Sequence, residues 1–372
     1  MVKKLGSIIV GWRIFLFIGY FVGLFFIHTV RLYSSAIHLE LQIPYLIASS
    51  ANFDGVHYIT IAREGYHGFE YGFFPLYPLL IRLVVRVLHI PYIVGALFAS
   101  LSAFFLSLLV IYEILKKDTL QKYSGYVFPL MFFFPTAFYY ATAYNDSLFL
   151  LLSCLTILFA RKKNWLFACM YASFATLTRL NGLALIFFLL AEYLKNDKTI
   201  SIKKIIKDKF YFIMLIPAIL VGYFIFVQIT TGSWQTVFSS MKPWGQDKIV
   251  LPFQVLWRYF KIIILYPSYE FIYWIAVIEI ISVFLYLFFI WYSYNKIRFS
   301  YWIFFVISLL IPAFTGTFQG MPRYGLHLFP FFLSMAVFFE KRNKLFFYVF
   351  IIISGILLLL LEAFFTRGFF IA

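Results

Sequence analysis

Residues 73–89 read FFPLYPLLIRLVVRVLH, and whether this apolar stretch crosses a membrane decides how the rest of the chain is threaded. Arg82 and Arg86 lie four residues apart, so in a helix they share one face. A helix with that pattern suits the membrane interface, where arginines reach toward water while their stems stay in hydrocarbon. If 73–89 lies in the interface and Lys3 and Lys4 are cytoplasmic, five later basic clusters all fall inside. These are Lys116/Lys117/Lys122, Arg161/Lys162/Lys163, the run from Lys195 to Lys209, Lys296/Arg298, and Lys341/Arg342/Lys344. If the stretch crossed, all five would move outside, against the bias of basic residues toward the cytoplasm. The stretch is therefore expected to be a helix embedded in a large external loop.

Working outward, the apolar runs near 8–29, 91–115, 124–143, 146–160, 164–178, 181–194, 209–231, 270–293, 299–314, 325–339 and 345–365 are long enough, or nearly so, to span about 30 Å of hydrocarbon. This predicts an all-α polytopic membrane protein with about eleven transmembrane helices and the C-terminus outside. The chain forms a single transmembrane domain, 1–372, with a first external loop at 30–90 and a second at 232–269. The second loop contains QVLWRYFKIIILYP (254–267), which reads as an interfacial amphipathic helix. The run 195–209 is a solvated cytoplasmic loop. Composition agrees: 63% of the 372 residues are hydrophobic and 12% charged, where a soluble domain carries roughly 25% charged residues. The 51 Phe and 28 Tyr suit lipid-facing surfaces and membrane interfaces. The net charge of +16 would suggest nucleic acid in a soluble protein. Here the basic residues punctuate apolar runs and set topology, so no nucleic-acid partner is expected. The two cysteines, Cys154 and Cys169, lie inside apolar runs and give neither a disulfide framework nor zinc-site spacing. Gly19 and Gly23 form a GxxxG, a helix-packing signal.

Acids are scarce, 15 in all, so each external one is informative. Asp54 stands beside Gly55, which leaves room for a substrate, and His57 shares its face if the segment is helical. Asp54 could equally cap the following helix. Tyr58, Arg63 and Glu64 follow in the same segment. Asn145 and Asp146 lie at an external junction after Phe134-Pro135, where Asp146 could also be a cap. Arg179 and Asn181, in Thr-Arg-Leu-Asn-Gly (178–182), and Gln319 and Arg323, in Gln-Gly-Met-Pro-Arg-Tyr (319–324), occupy two further external junctions. An arginine at a membrane edge commonly anchors to headgroups, but two of them beside external acids favour a phosphate site. No Walker A, GxGxxG, HExxH or GxSxG pattern is present.

Taken together these segments resemble the PIG-V (GPI mannosyltransferase 2) family of type C membrane glycosyltransferases. Asn52-Phe53-Asp54-Gly55-Val56-His57-Tyr58, with Ile61-Ala62 and Gly65-Tyr66, looks like the family's Trp/Phe-Asp-Gly-x-His/Trp-Tyr element. Phe73-Phe74-Pro75-Leu76-Tyr77-Pro78 looks like its FFPLYP. Tyr144-Asn145-Asp146-Ser147-Leu148-Phe149 is similar to Tyr-Ser-Glu-Ser-Leu-Phe, with an acid one methylene shorter. Thr178-Arg179-Leu180-Asn181-Gly182 resembles Thr-Arg-Ser-Asn-Gly, and Pro322-Arg323-Tyr324 with Phe329-Pro330 resembles Pro-Arg-Tyr…Phe-Pro. The motifs run in order over about 52–330.

The resemblance implies the type C glycosyltransferase fold, a polyprenyl-phosphate sugar donor, with mannose favoured, and a glycolipid or glycan acceptor. It implies no cofactor besides that lipid co-substrate and leaves a divalent metal open. Because the leaving group is an anionic phosphate, one general base suffices, unlike the carboxylate pair of a glycosidase. Asp54 is expected to be that base. Arg179 or Arg323 would hold the phosphate, and His57 and Asp146 would orient Asp54 or the sugar. Tyr77, with Phe74, would shape the lipid groove. Tyr58, Arg63, Glu64, Asn145, Asn181 and Gln319 complete the expected substrate contacts. The site would face the extracytoplasmic or lumenal side of a plasma membrane or endoplasmic-reticulum membrane. A transferase of glucose or aminoarabinose, a glycolipid transporter without chemistry and a structural scaffold are the competing expectations.

Overall fold

A computed structural model describes residues 2–30, 43–195 and 202–371. Ser34 and Ser201, which the threading above puts on opposite sides, lie outside the described residues, as does part of the 30–90 loop. Among the described residues the chain is helical throughout, with no strand. Its longer helices, in chain order, are α1 (Val2–Phe26), α2 (Asp54–Arg63), α3 (Leu76–Leu88), α4 (Tyr92–Lys117), α5 (Ser124–Phe133), α6 (Asp146–Arg161), α7 (Trp165–Thr176), α8 (Ala184–Lys195), α9 (Leu215–Thr231), α10 (Pro252–Leu265), α11 (Phe271–Ser293), α12 (Phe299–Ala313), α13 (Phe329–Glu340) and α14 (Lys344–Thr366).

Five helical stretches are long and apolar enough to cross a membrane: Leu5–Phe26, Tyr92–Lys117, Phe210–Thr231, Phe271–Ser293 and Lys344–Thr366. Helices α7, α12 and α13 are apolar but shorter. The protein is thus a helical membrane protein by the length and composition of its helices. One expected run divides. Residues 124–143 do not form one helix, because α5 ends at Phe133 and Phe134 is extended (φ −60°, ψ 140°). Pro135 explains the break, since the residue before a proline is driven out of the α region. A separate turn of 3-10 helix follows at Ala137–Ala141.

The chain forms two compact units. The first comprises Met1–Tyr66, Pro75–Cys154 and Met335–Ile371. In it α1 lies against α14, as the GxxxG predicts. A Cβ added at Gly19 would stand 2.8 Å from the Leu359 carbonyl oxygen, and one at Gly23 would stand 2.7 Å from that of Ala363. Only glycine allows backbones this close. The stretch 73–89 is helical over α3. Its Leu79, Leu83 and Val87 form an exposed apolar stripe, while Tyr77 and Ile81 are fully buried. Arg82 departs from the interfacial anchoring expected of it. Its guanidinium donates to the carbonyls of Ala62 (2.7 Å) and Ile61 (3.1 Å) at the end of α2. The Ile61 carbonyl also accepts from the Gly65 amide at 3.0 Å, so there the arginine adds a second donor as it covers the end of the helix. Arg86 is exposed. Lys122 pairs with Glu340 at 2.9 Å.

The second unit comprises His67–Phe74 and Leu155–Ser334. Here the Tyr223 hydroxyl donates to the Tyr71 carbonyl at 2.7 Å, and Phe74 packs on the Tyr223 ring. Glu192 is fully buried at the end of α8 and accepts from Arg161 (2.7 Å), Arg298 (2.9 Å) and Ser300 (2.7 Å). Removing one partner from such a buried ionic group costs about 3–5 kcal/mol. The predicted 254–267 helix appears as α10, opened by Pro252 at its first turn. Phe253, Trp257, Phe260 and Ile264 face outward, while Val255 and Tyr259 join a cluster with Ala276, Ile280, Ala313, Phe318 and Met321.

Candidate functional site

In the first unit the local chain is shaped around Asp54. Phe53 carries the non-helical dihedrals that start α2, φ 61° and ψ −119°, so Asp54 is the first helical residue rather than the cap. A non-glycine residue there is strained by about 1–3 kcal/mol. It is held by its ring, which packs on Phe365 and Phe370 at centroid distances of 5.9 and 5.2 Å. The neighbouring Asn52 side chain donates to the Phe365 carbonyl at 2.9 Å. Asp54 is half-buried. Its carboxylate sits in the first turn of α2, where a negative charge is favoured. His57 lies one turn on, on the same face.

A chain of hydrogen bonds then joins three of the sequence motifs. The Tyr144 hydroxyl donates to the Asn52 carbonyl (2.7 Å), and Ser100 Oγ donates to the Tyr144 carbonyl (3.0 Å). The Tyr77 hydroxyl lies 2.8 Å from Ser100 Oγ and donates to the Ala96 carbonyl at 3.1 Å. Tyr58 packs edge-on against Tyr77 at 5.1 Å. Gly55 lies against Ala143, whose carbonyl oxygen would be 3.3 Å from an added Cβ. The Ala143 amide in turn donates to the Ser50 carbonyl at 3.0 Å. Asn145 and Asp146 are buried at the start of α6. Burial holds the Tyr77 phenol protonated, well above its ordinary range, and the Asp146 charge pushes in the same direction. Asp54, His57, Tyr58, Tyr77, Asn145 and Asp146 thus lie in one unit, on segments that these contacts join.

Arg63 and Glu64 stand apart. They pair with each other, exposed, at the far end of α2, about 15 Å along the helix from Asp54.

In the second unit Arg179 is extended between α7 and the turn Leu180–Leu183. Its Nη1 meets the His327 ring, 3.1 Å from Nδ1, and its guanidinium lies 5.3 Å from the Tyr324 ring centre. A neutral His327 ring can accept from this arginine; the protonated ring cannot. The residues around Arg179 have scaffold duties. Asn181 donates to the Ser308 carbonyl at 2.9 Å, and Thr178 Oγ1 donates to the Ala175 carbonyl at 2.6 Å. A Cβ on Gly182 would fall 2.4 Å from the Thr176 backbone, so that position admits only glycine. Arg323 is buried in the short helix Met321–Tyr324, while Gln319 is partly exposed and its backbone N–H donates to Thr317 Oγ1 at 3.1 Å. Two of the expected external segments, 178–182 and 319–324, therefore meet.

Two residues of these regions, Ser100 and His327, escaped the sequence reading, and Phe53 and Tyr144 entered it only as members of motifs with no role assigned. His327 had the clearest signal, being one of 6 histidines and lying four residues after Arg323. Ser100 had none, since a serine inside an apolar helix reads as packing. Among the described residues no three of His, Cys, Asp and Glu gather where they could hold a metal ion. No protein-family model, curated protein or solved structure matches the chain.

Proposed function

We propose that the protein is an inverting glycosyltransferase of the type C architecture, with about eleven spans. It would move a sugar, mannose first, from a polyprenyl-phosphate donor to a hydroxyl of a lipid-linked or cell-surface glycan on the extracytoplasmic face. The observation that carries this reading is the half-buried Asp54 carboxylate. It is set by a strained residue at the start of α2, beside Gly55, in a region tied together by Tyr144, Ser100 and Tyr77. A carboxylate that serves only to cap a helix needs no such support. In the reaction Asp54 takes the proton of the acceptor hydroxyl. The oxygen attacks the anomeric carbon, and the bond from that carbon to the phosphate oxygen breaks on the opposite face. The phosphate leaves as an anion and needs no proton. The arginine, histidine and tyrosine group of the second unit supports a phosphate-holding role, since bidentate guanidinium suits phosphate.

The test is a transfer assay on purified protein, offering polyprenyl-phosphate mannose, polyprenyl-phosphate glucose and GDP-mannose side by side. Wild type should use a lipid-phosphate sugar. Asp54→Asn keeps volume and most hydrogen bonding but removes proton acceptance, so its rate should fall by ~10²–10⁴, with donor binding retained. An undiminished rate would leave the mechanism without its base. A protein that binds the donor and exports it without forming a glycosidic product is a transporter.

A further inference from the structure

Helix α11 is apolar over Phe271–Ser293 and contains one acid, Glu279, which is 2% exposed. A carboxyl group at such a depth costs roughly 2.5–3.5 kcal/mol on insertion scales. The cost persists where the group has a use. The Glu279 carboxyl group interacts with the Tyr259 hydroxyl and the Gly320 backbone amide. Its Oε1 has no hydrogen-bond partner among the described residues. Tyr259 extends the grip: its hydroxyl lies 2.9 Å from Thr317 Oγ1 and accepts from the Phe318 amide at 3.0 Å.

Tyr286 lies seven residues after Glu279, two helical turns along the same face. Its hydroxyl donates to the Met321 carbonyl at 3.0 Å and accepts from the Gly325 amide at 3.0 Å. Gly325 is shaped to it, because an added Cβ would stand 2.6 Å from the Tyr286 oxygen. At the other end Gly320 has φ +87°, which favours glycine, and its carbonyl accepts from the Arg323 and Tyr324 amides. Two polar groups on one face of an apolar helix therefore hold the two ends of one short turn. Between those ends stand Arg323 and Tyr324, the latter facing Arg179.

We infer that Glu279 and Tyr286 are positioning residues, which fix the Gly320–Gly325 turn so that Arg323 and Tyr324 present one geometry to a phosphate-bearing lipid. The identity of that ligand rests on the function proposed above; the clamp itself does not. Tyrosine and carboxylate suit the task because each reaches backbone groups of a turn that no regular helix satisfies. A guanidinium gains its advantage over a point charge only when its plane is held.

Two measurements on the full chain in detergent test the inference. The first is amide hydrogen exchange over 318–325. The second is binding of farnesyl phosphate, a short prenyl phosphate, with farnesol as the control lacking phosphate. Glu279→Ala and Tyr286→Phe should each speed exchange at Gly320–Gly325 by about tenfold or more. They should also weaken farnesyl phosphate by about tenfold, the worth of one hydrogen bond to a charged group. Glu279→Gln retains an oxygen acceptor and should recover most of both. Ile281→Ala, on the exposed side of the same helix, should change neither. Unchanged exchange at 320–325 in both Glu279→Ala and Tyr286→Phe overturns the clamp. So does acceleration spread evenly along 271–293 in Glu279→Gln, which would make Glu279 a general packing residue. Faster exchange at the turn, with a wild type that binds farnesyl phosphate no better than farnesol, keeps the clamp and removes the phosphate ligand.

Discussion

At the residue scale, Phe53 reverses an ordinary expectation. Glycine usually destabilises a folded segment relative to alanine by roughly 0.5–1 kcal/mol, because it frees the unfolded chain. At φ 61° and ψ −119° the order changes. Alanine keeps the backbone strain and loses the ring contacts with Phe365 and Phe370. Glycine loses the same contacts but relieves about 1–3 kcal/mol of strain. Thermal unfolding in detergent should therefore rank wild type above Phe53→Gly, and Phe53→Gly above Phe53→Ala. If the proposed chemistry holds, Phe53→Gly should still transfer more slowly than wild type, because Asp54 then starts a turn with more freedom. An alanine variant as stable as the glycine one would mean that Phe53 is not strained.

At the element scale, sequence was most informative where a single physical constraint governed the outcome. The GxxxG of α1 read as a contact, and Gly19 and Gly23 do abut the α14 backbone. The amphipathic patterns of 73–89 and 254–267 read as surface helices and emerge as α3 and α10. Sequence misled where composition hid a break: 124–143 is largely apolar, yet the helix ends at Phe133, two residues before Pro135. It also gave no sign of side chains serving backbone groups, such as Arg82 on the end of α2 or Tyr144 on Asn52. Partners far apart in sequence leave no local pattern. For the site, the segments carrying Asp54, Tyr77, Asp146, Arg179 and Arg323 were legible as motifs, whereas His327 and the Asn181 anchor to Ser308 were not. The α1–α14 contact yields a prediction with opposite signs in one helix. Gly23→Ala puts a Cβ 2.7 Å from a carbonyl oxygen, so the helices must separate, at about 1–3 kcal/mol. Gly11 has nothing within 4 Å, and Gly11→Ala should stabilise the helix by roughly 0.4–1 kcal/mol. Melting temperatures that move the same way for both would contradict the packing.

At the scale of the whole molecule, charge threads the chain, and the ion pairs bear on that threading. Lys122 with Glu340, and Glu192 with Arg161 and Arg298, each join positions that the basic clusters put on the cytoplasmic side. A pair between a cytoplasmic cluster and an external loop would have broken the scheme. Cysteine labelling tests it directly. The native Cys154 and Cys169 are fully buried, so introduced cysteines can be read against a quiet background. Thr29, Lys117, Lys248 and Lys341 suit the purpose, because all four lie outside the apolar cores of the spans. In intact cells a membrane-impermeant maleimide should label Thr29→Cys and Lys248→Cys. Lys117→Cys and Lys341→Cys should react only after permeabilisation. The discriminating pair is Thr29 and Lys117, because between them lie α3 and the single span α4. If α3 also crossed, the two positions would lie on the same side. Equal labelling of both in intact cells would therefore make 73–89 a transmembrane helix, and every basic cluster after it would change sides. Asp54 precedes α3 and would keep its side, but Arg179 and Arg323 follow it and would move to the other. The proposed transferase could not then use them on the donor phosphate, so this one comparison tests the chemistry as well as the topology.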